Sequence, residues 1–189
     1  MSSQPRTQLT KARASLGSMK HSQSFEGFEE HWKNLLHQVE RAWTKALSKY
    51  GSDQGWRALR DKYDALRRTD PLLAYVKNAR DADEHTIDDI LSHEPGGIGI
   101  NPAEGNSLYI ERMEIDRGVI SIKSPQRLRV DFIPDKTKLL PVTKRDGTYA
   151  VPTSHLGGAV DPTNVVDVAE KAIAFYEKVL DEAESTLGN

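Results

Sequence analysis

One long amphipathic segment constrains the fold of this 189-residue chain more than any other feature. It begins after Ser24, a residue type that caps helix N-termini, and it ends at Tyr50. Its apolar residues recur every three or four positions throughout: Phe25, Phe28, Trp32, Leu35, Leu36, Val39, Trp43, Leu47 and Tyr50. A stripe with this period predicts a helix that buries one face against other elements.

Four further segments share the helical period. They cover Thr7 to Lys20, Asp53 to Arg68, Asp70 to His93 and Asp161 to Leu187. The last two both open with Asp-Pro, in which the aspartate accepts first-turn amide bonds and the proline suits the first helical position. The broad apolar stripe of the final segment needs a partner helix, so the two ends of the chain are expected to build one bundle.

The period of the apolar residues changes to two over residues 107–152. Leu128, Val130 and Phe132 alternate there with charged residues, and turn sequences such as Asp116-Arg117-Gly118 separate the apolar runs. The pattern predicts an antiparallel sheet of four or five strands.

These segments together predict an α+β fold in a single domain over residues 1–189. A helical part over residues 7–93 precedes the sheet over 107–152, and the C-terminal helix over 161–187 returns to the bundle. Glu94 to Gly105 contains two prolines and several glycines, so we expect a loop there.

The composition narrows the class of protein. A formal net charge of −2 provides no global attraction to nucleic acid or to an acidic membrane, so any such binding needs a local patch. The chain has no cysteine, which excludes disulfides and thiolate chemistry and fits a cytoplasmic location. No apolar run approaches the roughly 20 residues that span a bilayer, so no membrane association is expected.

The fourth predicted helix contains the sequence Arg80-Asp81-Ala82-Asp83-Glu84-His85. It is the one place where an arginine, carboxylates and a histidine lie together at helical spacing. Arg80 lies three and four residues before Asp83 and Glu84, a spacing that also stabilises ordinary surface helices through ion pairs. His85 adds a side chain that changes protonation near neutral pH.

An arginine followed by a polar residue, with a histidine after a four-residue gap, resembles the signature of the HEPN superfamily of helical bundles. The resemblance implies a metal-independent endoribonuclease, of the kind that acts in toxin–antitoxin and phage-defence systems, that needs no cofactor and works as a homodimer. It implies catalytic roles for Arg80, Asp81 and His85. His85 would be the acid or base, Arg80 would stabilise charge on the phosphoryl group, and Asp81 would orient one of them. RNA and a protein antitoxin are the partners that it implies.

Arginines on the third predicted helix offer a further interpretation. Guanidinium groups bind phosphate in a bidentate manner, so these side chains are candidate RNA ligands, although a solvated face paired with Asp61 and Asp64 is the simpler explanation. They are Arg57, Arg60, Arg67 and Arg68.

Two alternatives to the ribonuclease remain open. One is a non-enzymatic interaction or scaffold protein that uses the bundle for assembly. The other is a divalent-metal protein, because an unbroken helix would place His85, Asp89 and His93 on one face, with His155 as a possible outside ligand.

Overall fold

The computed structural model describes residues 4–85, 89–145 and 147–187. Five helices form in these residues: α1 (Pro5–Lys20), α2 (Phe25–Tyr50), α3 (Gln54–Thr69), α4 (Pro71–His85) and α5 (Val165–Leu187). Between α4 and α5 the described residues form ten strands: β1 (Leu91–Glu94), β2 (Gly97–Pro102), β3 (Arg112–Asp116), β4 (Val119–Lys123), β5 (Leu128–Ile133), β6 (Lys136–Leu139), β7 (Val142–Lys144), β8 (Gly147–Tyr149), β9 (Ser154–His155) and β10 (Gly158–Ala159).

The α+β fold class is confirmed, with five helices and the strands placed before the last of them. The strands form five two-stranded sheets instead of one larger sheet. β1 pairs with β6, and the antiparallel pairs are β2 with β5, β3 with β4, β7 with β8 and β9 with β10. None of the helices in the described ranges is both long and apolar enough to span a bilayer.

The helical core follows the apolar stripes of the sequence. Ser24 caps α2 by accepting a hydrogen bond from the Gly27 N–H at 3.1 Å, as its position predicts. The three tryptophans on the predicted apolar faces, Trp32, Trp43 and Trp56, are all buried. The stripe of α5 packs against α1, α2, α3 and α4, so the two ends of the chain share one core.

The predicted helix from Asp70 to His93 is wrong in its second half. Asp70 does accept a hydrogen bond from the Leu73 N–H at 3.0 Å, and α4 runs to His85, but Leu91–Glu94 is strand β1. Ile90 and Leu91 are buried, and the Tyr75 hydroxyl donates to the Leu140 carbonyl at 2.8 Å beside them. Pairing with β6 and the hydrogen bond from the Leu140 N–H to the Ile90 carbonyl hold this segment in an extended conformation.

Two further boundaries differ from the prediction. The expected loop from Glu94 to Gly105 contains strand β2, whose hydrogen-bond partner β5 follows it by some thirty residues. The last helix begins at Val165, not at Asp161. Asp161 instead accepts a hydrogen bond from the Thr163 N–H in a turn, and Asn164 accepts one from the Asp167 N–H at 3.0 Å and so caps α5.

The chain divides into two compact units, and Glu94–Lys136 forms the second of them. All residues of this unit are described, and not one of them is buried. The β3–β4 hairpin turns through Arg117 and Gly118, whose φ angles of 46° and 82° fit the two-residue turn that the sequence predicts. The alternation places Met113, Ile115, Ile120 and Ile122 on one face of the β3–β4 hairpin. It likewise places Ile98, Ile100, Val130 and Phe132 on one face of the β2–β5 pair.

Candidate active site at the end of the fourth helix

Arg80 lies on the last turns of α4 and is held by two carboxylates of its own helix. One terminal nitrogen, Nη1, lies 3.2 Å from Asp81 Oδ1, and the other, Nη2, lies 2.9 Å from Glu84 Oε1. The side chain is 24% exposed, so water and small ligands reach it only in part. These contacts fix the guanidinium without burying it completely.

Asp81 is shared between Arg80 and a lysine from the strand region. Lys144 at the end of β7 donates from Nζ to Asp81 Oδ2 at 2.9 Å and to Asn78 Oδ1 at 3.0 Å. Partial burial raises the pKa of Asp81, but the hydrogen bonds from Lys144 and Arg80 outweigh it and hold that pKa below its ordinary value. The carboxylate is therefore ionised at neutral pH and ties two cations together.

A cleft of about 340 Å³ opens on the side of α4 that carries Lys77, Asn78 and Asp81. Its polar lining consists of cationic groups, one amide, one phenol and the carboxylate of Asp81. The lining residues are Arg67, Arg68, Ala74, Lys77, Asn78, Asp81, Lys144 and Tyr149. Arg68, Lys77 and Lys144 face one carboxylate here, whereas the charge of the buried Arg67 is balanced by Glu40 and Asp64. The cleft therefore attracts anions although the chain as a whole is slightly acidic.

The remaining acids of the motif face helix α2. Asp83 lies 3.3 Å from Lys33 Nζ and 3.1 Å from His37 Nε2, and Glu84 lies 3.5 Å from His37 Nδ1. These contacts place Asp83 and Glu84 in a network between two helices. Glu84 belongs to both sets of contacts, because it also binds Arg80.

His85 is the last residue of α4, but its side chain lies outside the described part of the structure. The three residues of the predicted catalytic set are therefore placed to different degrees. Arg80 and Asp81 are in direct contact, and the backbone of His85 follows them on the same helix.

The predicted arginine stripe on α3 divides into different environments. Arg67 is only 3% exposed: it donates to Glu40 at 2.5 Å and to the Tyr176 hydroxyl at 3.1 Å, and its guanidinium stacks over Trp43. Placing it on the exposed face was therefore wrong, since its donors hold the core together. Arg60 binds its neighbour Asp61, and Arg57 is exposed and does not line the cleft.

Arg68 is the one member of the stripe that is both exposed and part of the cleft lining. It lies on α3, whereas Lys77 lies on α4 and Lys144 on β7, so three elements contribute to the basic surface. The sequence pattern did not assign Lys77, Asn78, Lys144 or, on the other side of α4, Lys33 and His37 to this site. Lys77 and Asn78 share the helix of the motif one turn earlier, which is the signal that could have found them.

The helical spacing that suggested a metal site is absent, because Asp89 lies outside any helix and His93 lies in a strand. The ring of His93 stacks on Phe25 at a centroid distance of 4.8 Å. His155, the proposed outside ligand, hydrogen-bonds Asp70 at 2.9 Å. Within the described ranges, no group of three or more His, Asp or Glu side chains is arranged to hold a metal ion.

Comparison of the chain with protein-family models, with curated proteins and with solved structures finds no match.

Proposed function

We propose that this protein is a metal-independent endoribonuclease of the HEPN type, in which the basic cleft beside α4 binds RNA phosphates and the Arg80–His85 segment cleaves the chain. The observation that carries the proposal is the double use of Asp81. Its two carboxylate oxygens bind Arg80 and Lys144, so one side chain connects the motif to the cleft. Following the HEPN resemblance, two copies would bring two such motifs together.

The chemistry requires a proton acceptor, a proton donor and a group that stabilises charge. The ribose 2′-oxygen attacks the adjacent phosphorus as its proton is removed, and the bond from phosphorus to the 5′-oxygen breaks. The products are a 2′,3′-cyclic phosphate and a 5′-hydroxyl, which takes up a proton. His85 moves one of these protons, and Arg80 stabilises the charge on the non-bridging oxygens.

The local charge balance supports phosphate binding. Lys33 pairs with Asp83 on the α2 side and Arg80 pairs with Glu84, so the negative charge of both acids is partly compensated where it stands. Arg68, Lys77 and Lys144 face the cleft on the other side. If a phosphate oxygen displaced Glu84 from Arg80, an RNA chain bound in the cleft would also contact the Arg80–His85 segment.

The test is cleavage of an RNA oligonucleotide by the purified full-length chain in excess EDTA. We expect cleavage by the wild type and its loss in His85→Ala, with helicity retained by circular dichroism. His21→Ala is a matched control, because His21 also stands at the C-terminal end of a helix, but it is exposed and its ring bonds the Gly17 carbonyl of its own helix. An inert wild type, or equal cleavage by His85→Ala, would refute the proposal.

One observation favours a second candidate, a non-enzymatic interaction protein. Residues 94–136 expose large apolar side chains, among them Ile115 at 69% and Phe132 at 81%, as expected of a surface that docks a partner. This candidate predicts that the chain leaves RNA intact, so the same cleavage experiment separates the two.

A further inference from the structure

We propose that a second copy of this chain pairs with the free edge of β5, antiparallel and about a two-fold axis at Val130. The product is a four-stranded sheet in the order β2–β5–β5–β2. The proposal concerns an assembly surface in residues 94–136, so it goes beyond the proposed ribonuclease and does not depend on it.

The strand pair β2–β5 is exposed to solvent and has no third strand among the described residues. Within the described residues β5 pairs only with β2, and no residue of the unit that contains them is buried. Val130 and Phe132 are 52% and 81% exposed, and Ile98 opposite Phe132 is 46% exposed. Isolated two-stranded sheets are marginal in water, and three or more strands are generally needed for stability. A strand added to β5 supplies what this sheet lacks.

The backbone register shows which groups β5 offers to a new strand. The Ala103 N–H donates to the Arg127 carbonyl at 2.9 Å, which makes Ala103 and Arg127 a hydrogen-bonded pair. Because these pairs alternate along an antiparallel ladder, Arg129 and Asp131 also direct their backbone groups toward β2. The backbone groups of Leu128, Val130 and Phe132 therefore point to the free edge, where a second strand would pair with them.

The side chains of β5 are self-complementary about Val130. Pairing two copies there places Arg129 opposite Asp131 of the partner subunit, and the reverse, at two symmetric positions. These are non-hydrogen-bonded positions, where Cα atoms lie about 4.5 Å apart and side chains are closest. Leu128 lies opposite the partner's Phe132, which adds an apolar cross-strand contact on each side of the axis.

The registers with an axis at Leu128, Arg129 or Asp131 each place like charges opposite one another. An axis at Arg129 or at Asp131 would place that residue opposite its own copy, and an axis at Leu128 would oppose Arg127 and Arg129. Like charges directly opposite one another destabilise a sheet. The charge pattern of β5 therefore selects both the occupant, a second copy, and its register.

A cysteine at position 130 tests the axis directly, since the chain has no cysteine of its own. Residues in a hydrogen-bonded antiparallel pair have Cα atoms about 5.5 Å apart, within the range of a disulfide. We expect Val130→Cys to form a covalent dimer under mild oxidation. Ile115→Cys, at the 69% exposed Ile115 of β3, is the control and should remain largely monomeric. Failure of Val130→Cys to crosslink, or equal crosslinking of Ile115→Cys, would overturn the proposal.

Charge reversal tests the register in solution. Arg129→Asp should raise the dimer dissociation constant about tenfold or more, and adding Asp131→Arg should restore most of the affinity. Arg112→Asp is the matched control, because Arg112 and Glu114 form the same kind of in-strand ion pair in β3 as Arg129 and Asp131 do in β5. Sedimentation equilibrium measures all four proteins, with circular dichroism as a check of the fold. A monomeric wild type, or a folded double variant that fails to recover, would contradict the pairing.

Discussion

Lys144 Nζ lies 2.9 Å from Asp81 Oδ2, although 63 positions separate the two residues in the sequence. This contact attaches the end of β7 to α4 beside the Arg80–His85 segment. Because Asp81 also binds Arg80, a change at Lys144 alters the charge at the cleft and the environment of the motif together. The proposed function depends on that connection.

Replacing Lys144 by methionine should weaken RNA binding. The variant loses one cation from the cleft, so the slope of log K against log salt should fall in magnitude by about 0.7 for single-stranded RNA. Fluorescence anisotropy with a non-cleavable oligonucleotide measures this. Lys171→Met is a matched control, because Lys171 also pairs with an aspartate, Asp167, but on α5. An unchanged slope in Lys144→Met would place the RNA elsewhere.

Neutralising Glu84 should have the opposite effect on affinity. Glu84 occupies Nη2 of Arg80, so Glu84→Gln removes a negative charge that competes with phosphate. We expect RNA to bind about twofold to fivefold more tightly, the scale of a partly exposed ion pair. The same anisotropy titration provides the readout, with exposed Glu30→Gln on α2 as control. Weaker binding by Glu84→Gln would show that Glu84 supports the site instead of competing for it.

Substitutions of Arg67 and of Arg57 should differ in their effect on the free energy of unfolding. Arg67→Met leaves Glu40 and the Tyr176 hydroxyl without their buried partner, and the free energy of unfolding should fall by about 3–5 kcal/mol. Arg57 is exposed, so Arg57→Ala should change it by less than about 0.5 kcal/mol. Urea denaturation of the three proteins compares these values. If Arg67→Met lowered the free energy of unfolding only slightly, the contacts of Arg67 with Glu40 and Tyr176 would contribute little to stability.

The contacts of Asp70 lead us to expect that the folded protein loses stability in acid. Burial raises the pKa of Asp70, but hydrogen bonds from the Leu156 N–H, His155 and the Leu73 N–H outweigh it and hold the pKa below its ordinary value. The stabilisation is therefore complete above the unfolded-state pKa of about 3.9 and is lost as the pH falls through the lower folded-state pKa.

Thermal unfolding of the wild type and of Asp70→Asn across this range tests the prediction. The wild type should be the more stable of the two near neutral pH, and the gap should close as the solution is acidified below about pH 4. A gap that stays constant with pH would show that ionisation of Asp70 does not stabilise the fold.

The helices were predictable from the sequence because their information is local. Ser24 and Asp53 cap α2 and α3 through residues two or three positions away, and the period of the apolar residues shows which face is buried. The Asp116-Arg117-Gly118 turn is equally local, and it was predicted correctly.

The errors arose where distant parts of the chain determine the structure. Leu91–Glu94 has a sequence compatible with a helix, but β6 pairs with it from more than forty residues away. The glycines of β2 suggest a loop until β5 is placed beside them. The basic cleft also depends on contacts between distant parts of the chain, because Lys144 and Arg68 approach α4 only after folding. Periodicity identifies elements well and long-range pairing poorly.

The central claim is that this chain cleaves RNA through its 2′-hydroxyl, and the most direct measurement compares an RNA oligonucleotide with its fully 2′-O-methylated counterpart in EDTA. We expect cleavage of the RNA alone, with 2′,3′-cyclic phosphate ends identified by mass spectrometry and no cleavage by His85→Ala. Cleavage of both oligonucleotides, or of neither, would contradict it.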